Sequence, residues 1–210
     1  MTPGRIIETE ADLREGTAWL VRHEPRFAHA LQATGPWPLR RGPDGFAALL
    51  AKIVSQQVST AAAAAIWTRI EGAGMTTPQA VAAAGTDDLR ALGLSRSKAR
   101  YAHALAAAGI DYPALRHAPD GEVVATLTKV PGIGVWTAEV YAMFALGRAD
   151  VFAPGDLALR EAARVLFDLP ARPGEGALRA MAEDWSPWRS VAARALFSYY
   201  RVTKNREGIL

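Results

Sequence analysis

The sequence carries the segment Leu127-Thr128-Lys129-Val130-Pro131-Gly132-Ile133-Gly134-Val135-Trp136-Thr137-Ala138. Helix-forming residues flank the proline and the glycines, so the segment predicts a helix that ends, a sharp turn and a second helix that begins at once. Gly132 and Gly134 both allow positive φ and leave backbone N–H groups uncovered, and N–H groups at a helix N-terminus attract anions. The turn therefore fits a nucleic-acid phosphate, with a plain corner between two helices as the alternative.

Helical spacing extends over the whole chain. Ala, Leu and Arg recur at this spacing, and no sustained alternation of β-branched and polar residues predicts a strand. The longer predicted helices cover residues 9–31 (broken at Pro25), 46–55, 60–70, 95–108, 122–128, 135–146, 157–167 and 187–202, and short ones open near Thr77 and Asp87. The sequence thus predicts an all-α fold of about ten helices, without a fixed-period repeat.

Composition excludes several classes of protein. With 50% hydrophobic and 21% charged residues, the chain of 210 residues is expected to bury an ordinary core, which excludes a disordered chain. No apolar run is long enough to span a bilayer and no signal leader opens the sequence, so we expect a cytoplasmic protein without membrane contact. The absence of cysteine excludes disulfides, thiolate metal sites, iron–sulfur clusters and a thiol nucleophile. The formal net charge of +3 permits a nucleic-acid partner without requiring one.

An acidic residue follows the turn at a distance. Asp156 comes 20 residues after Trp136, in the segment Val151-Phe-Ala-Pro-Gly-Asp-Leu-Ala-Leu-Arg160. Pro-Gly-Asp before an apolar helix is typical of an N-cap. A carboxylate presented on a loop can also stabilise a developing sugar oxocarbenium ion and help to direct water. The sequence leaves both roles open.

Together these motifs resemble a known family. The hairpin pattern, followed at this distance by Asp156, is similar to the helix–hairpin–helix (HhH-GPD) DNA glycosylases, and within them to 3-methyladenine DNA glycosylase II of the AlkA type, in its short form. Further motifs match in the family's order: Ile53-Val-Ser-Gln-Gln-Val-Ser59, Leu92-Gly-Leu-Ser-Arg-Ser-Lys-Ala99 and Trp185-Ser-Pro-Trp-Arg-Ser190. The resemblance extends from residue 19 to residue 202.

The resemblance implies an architecture and a set of DNA and ion contacts. It implies one glycosylase unit over residues 1–210, with two helical lobes and a central cleft that Asp156 faces. The first lobe covers approximately residues 45–150 and contains the hairpin at 127–138, and the second covers approximately 1–44 plus 151–210. The implied DNA contacts are Gln57, Gly132, Ile133, Gly134 and Thr137. A monovalent cation, Na⁺ or K⁺, would be held by the backbone carbonyls of Thr128, Val130 and Gly132, and no other cofactor is required.

The resemblance also predicts the type of chemistry. Bifunctional relatives place a lysine two residues after the second hairpin glycine, where this chain has Trp136. We therefore expect a monofunctional enzyme, in which water attacks C1′ and leaves an abasic site. N3- and N7-methylpurines are cationic, and aromatic faces attract cations. Trp136 is the predicted wall of the base pocket, with Phe197 and Tyr141 as further candidates for which core packing is the alternative.

Gln57 stands at the position of the residue that fills the gap left by the flipped base. A solvated polar residue at a helix end is the alternative for this side chain. The function that the resemblance predicts is release of 3-methyladenine and 7-methylguanine from double-stranded DNA by a cytoplasmic, nucleoid-associated monomer. The alternatives are a glycosylase for other damaged purines (hypoxanthine, ethenoadenine or 8-oxoguanine), a non-catalytic helix–hairpin–helix DNA-binding protein and an all-α interaction protein.

Overall fold

The computed structural model describes residues 4–204 and confirms the all-α fold. Within these residues no strand forms, and a single antiparallel bridge joins Ile6 to Arg148. The helices are α1 (Glu10–His23), α2 (Arg26–Thr34), α3 (Phe46–Ser55), α4 (Thr60–Gly72), α5 (Pro78–Ala83), α6 (Thr86–Ala91), α7 (Arg96–Ala107), α8 (Tyr112–Leu115), α9 (Asp120–Thr128), α10 (Val135–Phe144), α11 (Leu157–Leu166), α12 (Glu175–Ala182) and α13 (Arg189–Lys204), with a 3₁₀ turn at Glu183–Trp185. None of the helices between residues 4 and 204 is long and apolar enough to cross a membrane.

Residues 42–141 form one compact unit. Helix α3 is apolar along one face, where Phe46, Leu49, Leu50, Ile53 and Val54 are buried. This spacing of three and four residues forms one helical stripe, which packs against α4 and α7. Helices α5 and α6 also pack against α7, so α7 is central to this unit.

Residues 4–41 and 142–204 form the second compact unit. Its longest helix, α13, packs against α1, α2 and α11. An aromatic cluster fills part of the core, with the Phe27 and Trp185 ring centroids 5.3 Å apart and the Phe167 and Trp185 centroids 5.6 Å apart. Edge-to-face and tilted pairs of this kind bury a large apolar area.

Two features of the fold differ from the sequence-based expectations. The boundary between the units lies between Tyr141 and Ala142, not near residue 150. It falls inside α10, and a continuous helix carries no linker signal in its sequence. Helices α8 and α12 were not predicted, since α8 has only four residues and α12 includes Gly176, a weak helix former. The predicted cleft between the lobes stays a prediction.

Candidate active site

The predicted hairpin is present in the 42–141 unit. Helix α9 ends at Thr128 and α10 begins at Val135. Inside the turn, the N–H of Val130 donates to the carbonyl of Leu127 at 3.1 Å, and the N–H of Ile133 donates to the carbonyl of Val130 at 3.0 Å. The Ile133 side chain is buried, so it fixes the turn on the core of the unit.

The two hairpin glycines have different roles. Gly132 has a φ of +92°, a conformation that side chains other than glycine rarely adopt. A Cβ atom at Gly132 would also overlap the ring of Tyr101. Gly134 lies outside the positive-φ region, and a Cβ there would meet nothing within 4 Å. Both glycines allow positive φ, but only Gly132 adopts it, and the small size of Gly134 instead leaves the turn open.

The start of α10 is the exposed part of the hairpin. Gly134, Val135 and Trp136 are exposed, and the carbonyl of Gly134 accepts the N–H of Ala138 at 3.0 Å. The first N–H groups of a helix have no acceptor within the helix and attract anions. Among the predicted DNA contacts, the side chain of Thr137 is buried, as is that of Ile133. Only the backbone of these two residues can therefore contact DNA.

A glutamine that the sequence analysis did not single out joins the hairpin to the end of α3. Nε2 of Gln56 donates to the carbonyl of Gly132 at 2.9 Å. The next residue, Gln57, is exposed and has a φ of +55°. Nζ of Lys98 donates to the carbonyl of Val54 at 2.7 Å and so supports the same loop from α7. Two side-chain hydrogen bonds thus hold the loop that presents Gln57.

The Gln56 contact also bears on the predicted cation. The carbonyl of Gly132 accepts the Gln56 amide, and the carbonyl of Val130 accepts the Ile133 N–H. Two of the three predicted carbonyl ligands therefore already face the positive end of an N–H group. A carbonyl oxygen has two lone pairs, so one accepted hydrogen bond leaves each of these oxygens able to bind a cation as well. The cation stays a prediction, and no step below depends on it.

Asp156 caps α11 in the unit formed by 4–41 and 142–204. Its Oδ1 accepts the N–H of Ala158 at 2.8 Å and that of Leu159 at 3.3 Å. Both capping bonds use the same carboxylate oxygen, and the side chain is half-buried. The N-cap alternative for Asp156 is therefore confirmed as a structural role. It leaves the charge of the carboxylate in place, so a catalytic role is compatible with it.

The three candidate aromatics differ in exposure. Trp136 is 39% exposed, whereas Phe197 is 3% and Tyr141 is 2% exposed. The Phe197 ring centroid lies 6.2 Å from that of Phe144. The Tyr141 hydroxyl accepts the N–H of Gly45 at 2.8 Å, and burial raises the pKa of Tyr141 to about 12. The geometry favours core packing for Phe197 and Tyr141, and Trp136 is the aromatic with an accessible face.

A helix–hairpin–helix turn followed by an N-capping aspartate defines a class of DNA repair proteins, and the comparisons with known sequences agree. Residues 50–187 match the family described as HhH-GPD superfamily base excision DNA repair protein, and the chain belongs to this family.

Individual relatives are similar over different lengths. A Bacillus subtilis protein is 32% identical over 124 residues, and the match spans 57% of this chain but only 43% of that protein. DNA-3-methyladenine glycosylase 1 of Schizosaccharomyces pombe is 31% identical over 154 residues, which cover 69% of this chain and 68% of the yeast protein. The crystal structure of a DNA-3-methyladenine glycosidase from Bacillus halodurans superposes with a TM-score of 0.80 at 27% identity, covering 97% of this chain and 95% of that one.

Proposed function

We propose that this protein is a monofunctional DNA glycosylase that flips an alkylated purine, 3-methyladenine or 7-methylguanine, out of duplex DNA and hydrolyses its glycosidic bond. The observation that carries this proposal is the position of Trp136. An exposed indole stands at the start of α10, two residues after Gly134, where bifunctional members of the family place a lysine. The relatives named as 3-methyladenine glycosylases support the same substrate class.

Asp156 supplies the charge for the reaction in this proposal. As the C1′–N bond breaks, positive charge develops on the sugar, and a fixed carboxylate stabilises it. The two capping bonds to Ala158 and Leu159 hold the side chain in one orientation. A group fixed before the reaction needs no reorganisation at the transition state, which is why capping and catalysis work together here.

Trp136 supplies the affinity for the damaged base. An alkylated purine carries a positive charge, so the electron-rich indole face attracts it more than it attracts an undamaged base, by about 0.5–2 kcal/mol. The same positive charge makes the base a good leaving group. Hydrolysis therefore proceeds without a strong general acid to protonate the base.

Gln57 takes the place of the flipped base in the duplex. Its φ of +55° is uncommon for a residue other than glycine, and the bond from Gln56 to the hairpin holds the loop in this conformation. Val58 beside it is exposed as well. An amide next to an exposed apolar side chain can fill the gap and hydrogen-bond to the base left without a partner.

The test is base release from DNA treated with a methylating agent, with the released bases identified by mass. We expect 3-methyladenine and 7-methylguanine in the supernatant and abasic sites in the DNA. Release of hypoxanthine, ethenoadenine or 8-oxoguanine from matched oligonucleotides, without release of methylpurines, would assign a different substrate. DNA binding without release of any base would make the protein a non-catalytic binding module.

We also expect that no covalent adduct with DNA forms in the presence of borohydride. A trapped adduct requires a Schiff base between an amine and the sugar, and Trp136 has no amine. The measurement is gel electrophoresis of the protein with damaged DNA and borohydride, with a bifunctional glycosylase as positive control. Recovery of a trapped complex would contradict the monofunctional assignment.

A further inference from the structure

A group of arginines lies together in the unit formed by 4–41 and 142–204. Segment Leu39–Arg41 runs beside α13, because Nε of Arg194 donates to the carbonyl of Leu39 at 3.1 Å. The guanidinium of Arg41 lies directly over Gly147, where a Cβ atom would overlap it. Burial and the neighbouring guanidinium of Arg201 lower the pKa of Arg40. The segment therefore brings two arginines of the connector next to one on α13.

Arg194 adds a fourth positive charge beneath this surface. Its side chain is buried and makes further hydrogen bonds to the carbonyls of Ser190, at 2.9 Å, and Met143, at 3.4 Å. Burial, followed by the charges of Arg41 and Arg40, lowers the pKa of Arg194. The acceptors of Arg194 are neutral carbonyls and a hydroxyl. Arg194 therefore holds the segment in place, and none of these acceptors carries a negative charge that would offset the arginines.

Other arginines of the same unit have acidic partners. Arg189 binds Asp150 at 2.8 Å, Arg164 binds Glu161 at 3.0 Å and Arg172 binds Glu161 at 3.1 Å. Within residues 4–204, Arg40, Arg41 and Arg201 have no ion pair with a carboxylate, although the charge of Arg201 acts on Arg40 and the charges of Arg40 and Arg41 both act on Arg194. Like charges held together cost free energy unless an anion binds between them.

The backbone at Arg40 is also unusual. Its φ is +45°, in the left-handed region that arginine rarely adopts. Residues held in such conformations cost of the order of 1–3 kcal/mol and concentrate at binding and catalytic sites. Strain and unneutralised charge thus occur at the same place.

We propose that Arg40, Arg41 and Arg201 form a phosphate-binding cluster that holds the DNA backbone. Guanidinium groups match phosphate oxygens with paired hydrogen bonds, and an arginine whose fork is not used by a carboxylate is available for this. The proposal takes DNA as the partner from the proposed function and adds a second DNA contact, on a different unit from the hairpin. It assigns affinity, not base selection, to this surface, because phosphates carry no sequence information.

The test is the salt dependence of binding to duplex DNA that carries a stable abasic analogue. Each phosphate contact contributes about −0.9 to the slope of log K against log salt. The triple variant Arg40→Gln, Arg41→Gln, Arg201→Gln should therefore lose up to about 2.7 units of slope, and affinity should fall roughly eightfold per contact at 0.1 M salt. The triple lysine variant should keep most of the slope, because the charges remain.

A matched control removes the same number of charges elsewhere. The variant Arg26→Gln, Arg172→Gln, Arg179→Gln replaces three arginines of the same unit that have acidic partners. It should bind DNA with an almost unchanged slope. An equal loss in this control, or a wild-type slope in the folded cluster variant, would overturn the proposal.

Folding and function are checked separately. If the triple glutamine variant does not fold, the double variant Arg41→Gln, Arg201→Gln changes only exposed side chains and gives the same comparison. Because binding is measured without base release, the two proposals can fail independently. If the protein releases no methylpurine but its salt slope depends on the cluster, the proposed substrate is wrong and the phosphate-binding cluster stands.

Discussion

Asp156→Asn is expected to leave the fold and the DNA affinity unchanged and to lower the rate of base release about 10²- to 10³-fold. The side chain caps α11 through Oδ1, and an asparagine oxygen caps a helix as well as an aspartate oxygen does. The substitution therefore removes the charge while it preserves the two capping bonds. The measurements are single-turnover release of methylpurines, thermal unfolding, and binding to DNA with an abasic analogue.

Asp156→Ala is the companion variant, because it removes both the charge and the cap. We expect the same loss of rate together with a loss of about 1 kcal/mol in the free energy of unfolding. A fully active Asn variant beside a destabilised Ala variant would mean that Asp156 is only an N-cap. This pair of substitutions separates the two roles that the sequence left open.

The parts of the site that could be predicted are those with local signals. The turn between α9 and α10 follows from Pro131, Gly132 and Gly134 within a few residues of one another, and the cap at Asp156 follows from the apolar helix directly after it. In both places the residues that determine the conformation are neighbours in the sequence. Helix periodicity likewise predicted most of the long helices, since the spacing of the apolar residues within each helix determines its buried face.

The features that the sequence did not predict depend on residues far apart in the chain. The bond from Gln56 to the Gly132 carbonyl joins positions 76 residues apart, and the Arg194 bond to Leu39 joins positions 155 apart. No local pattern marks either pair. The same holds for the different needs of the two glycines, because the ring under Gly132 belongs to Tyr101 on α7.

The hairpin and the arginine cluster are expected to bind phosphates by different physical means. The hairpin offers neutral N–H groups at the start of α10, whereas the cluster offers full charges. Counterions are released when charges neutralise phosphates, so only the loss of charges lowers the salt slope strongly. For the arginine variants, the affinity and the salt slope should therefore fall together. For the hairpin variants, the affinity should fall while the salt slope hardly changes.

Gly134→Glu is accordingly expected to weaken binding to all DNA sequences alike while the salt slope hardly changes. Loss of charge-assisted hydrogen bonds from the turn costs about 1.5–3 kcal/mol, which is roughly a 10- to 150-fold loss of affinity. The added carboxylate also repels the phosphate. Gly134→Ala is the control, and it should lose less, because a methyl group there meets nothing within 4 Å and adds no charge. Binding is measured at several salt concentrations, and wild-type affinity in a folded Gly134→Glu protein would mean that the hairpin is only a corner between two helices.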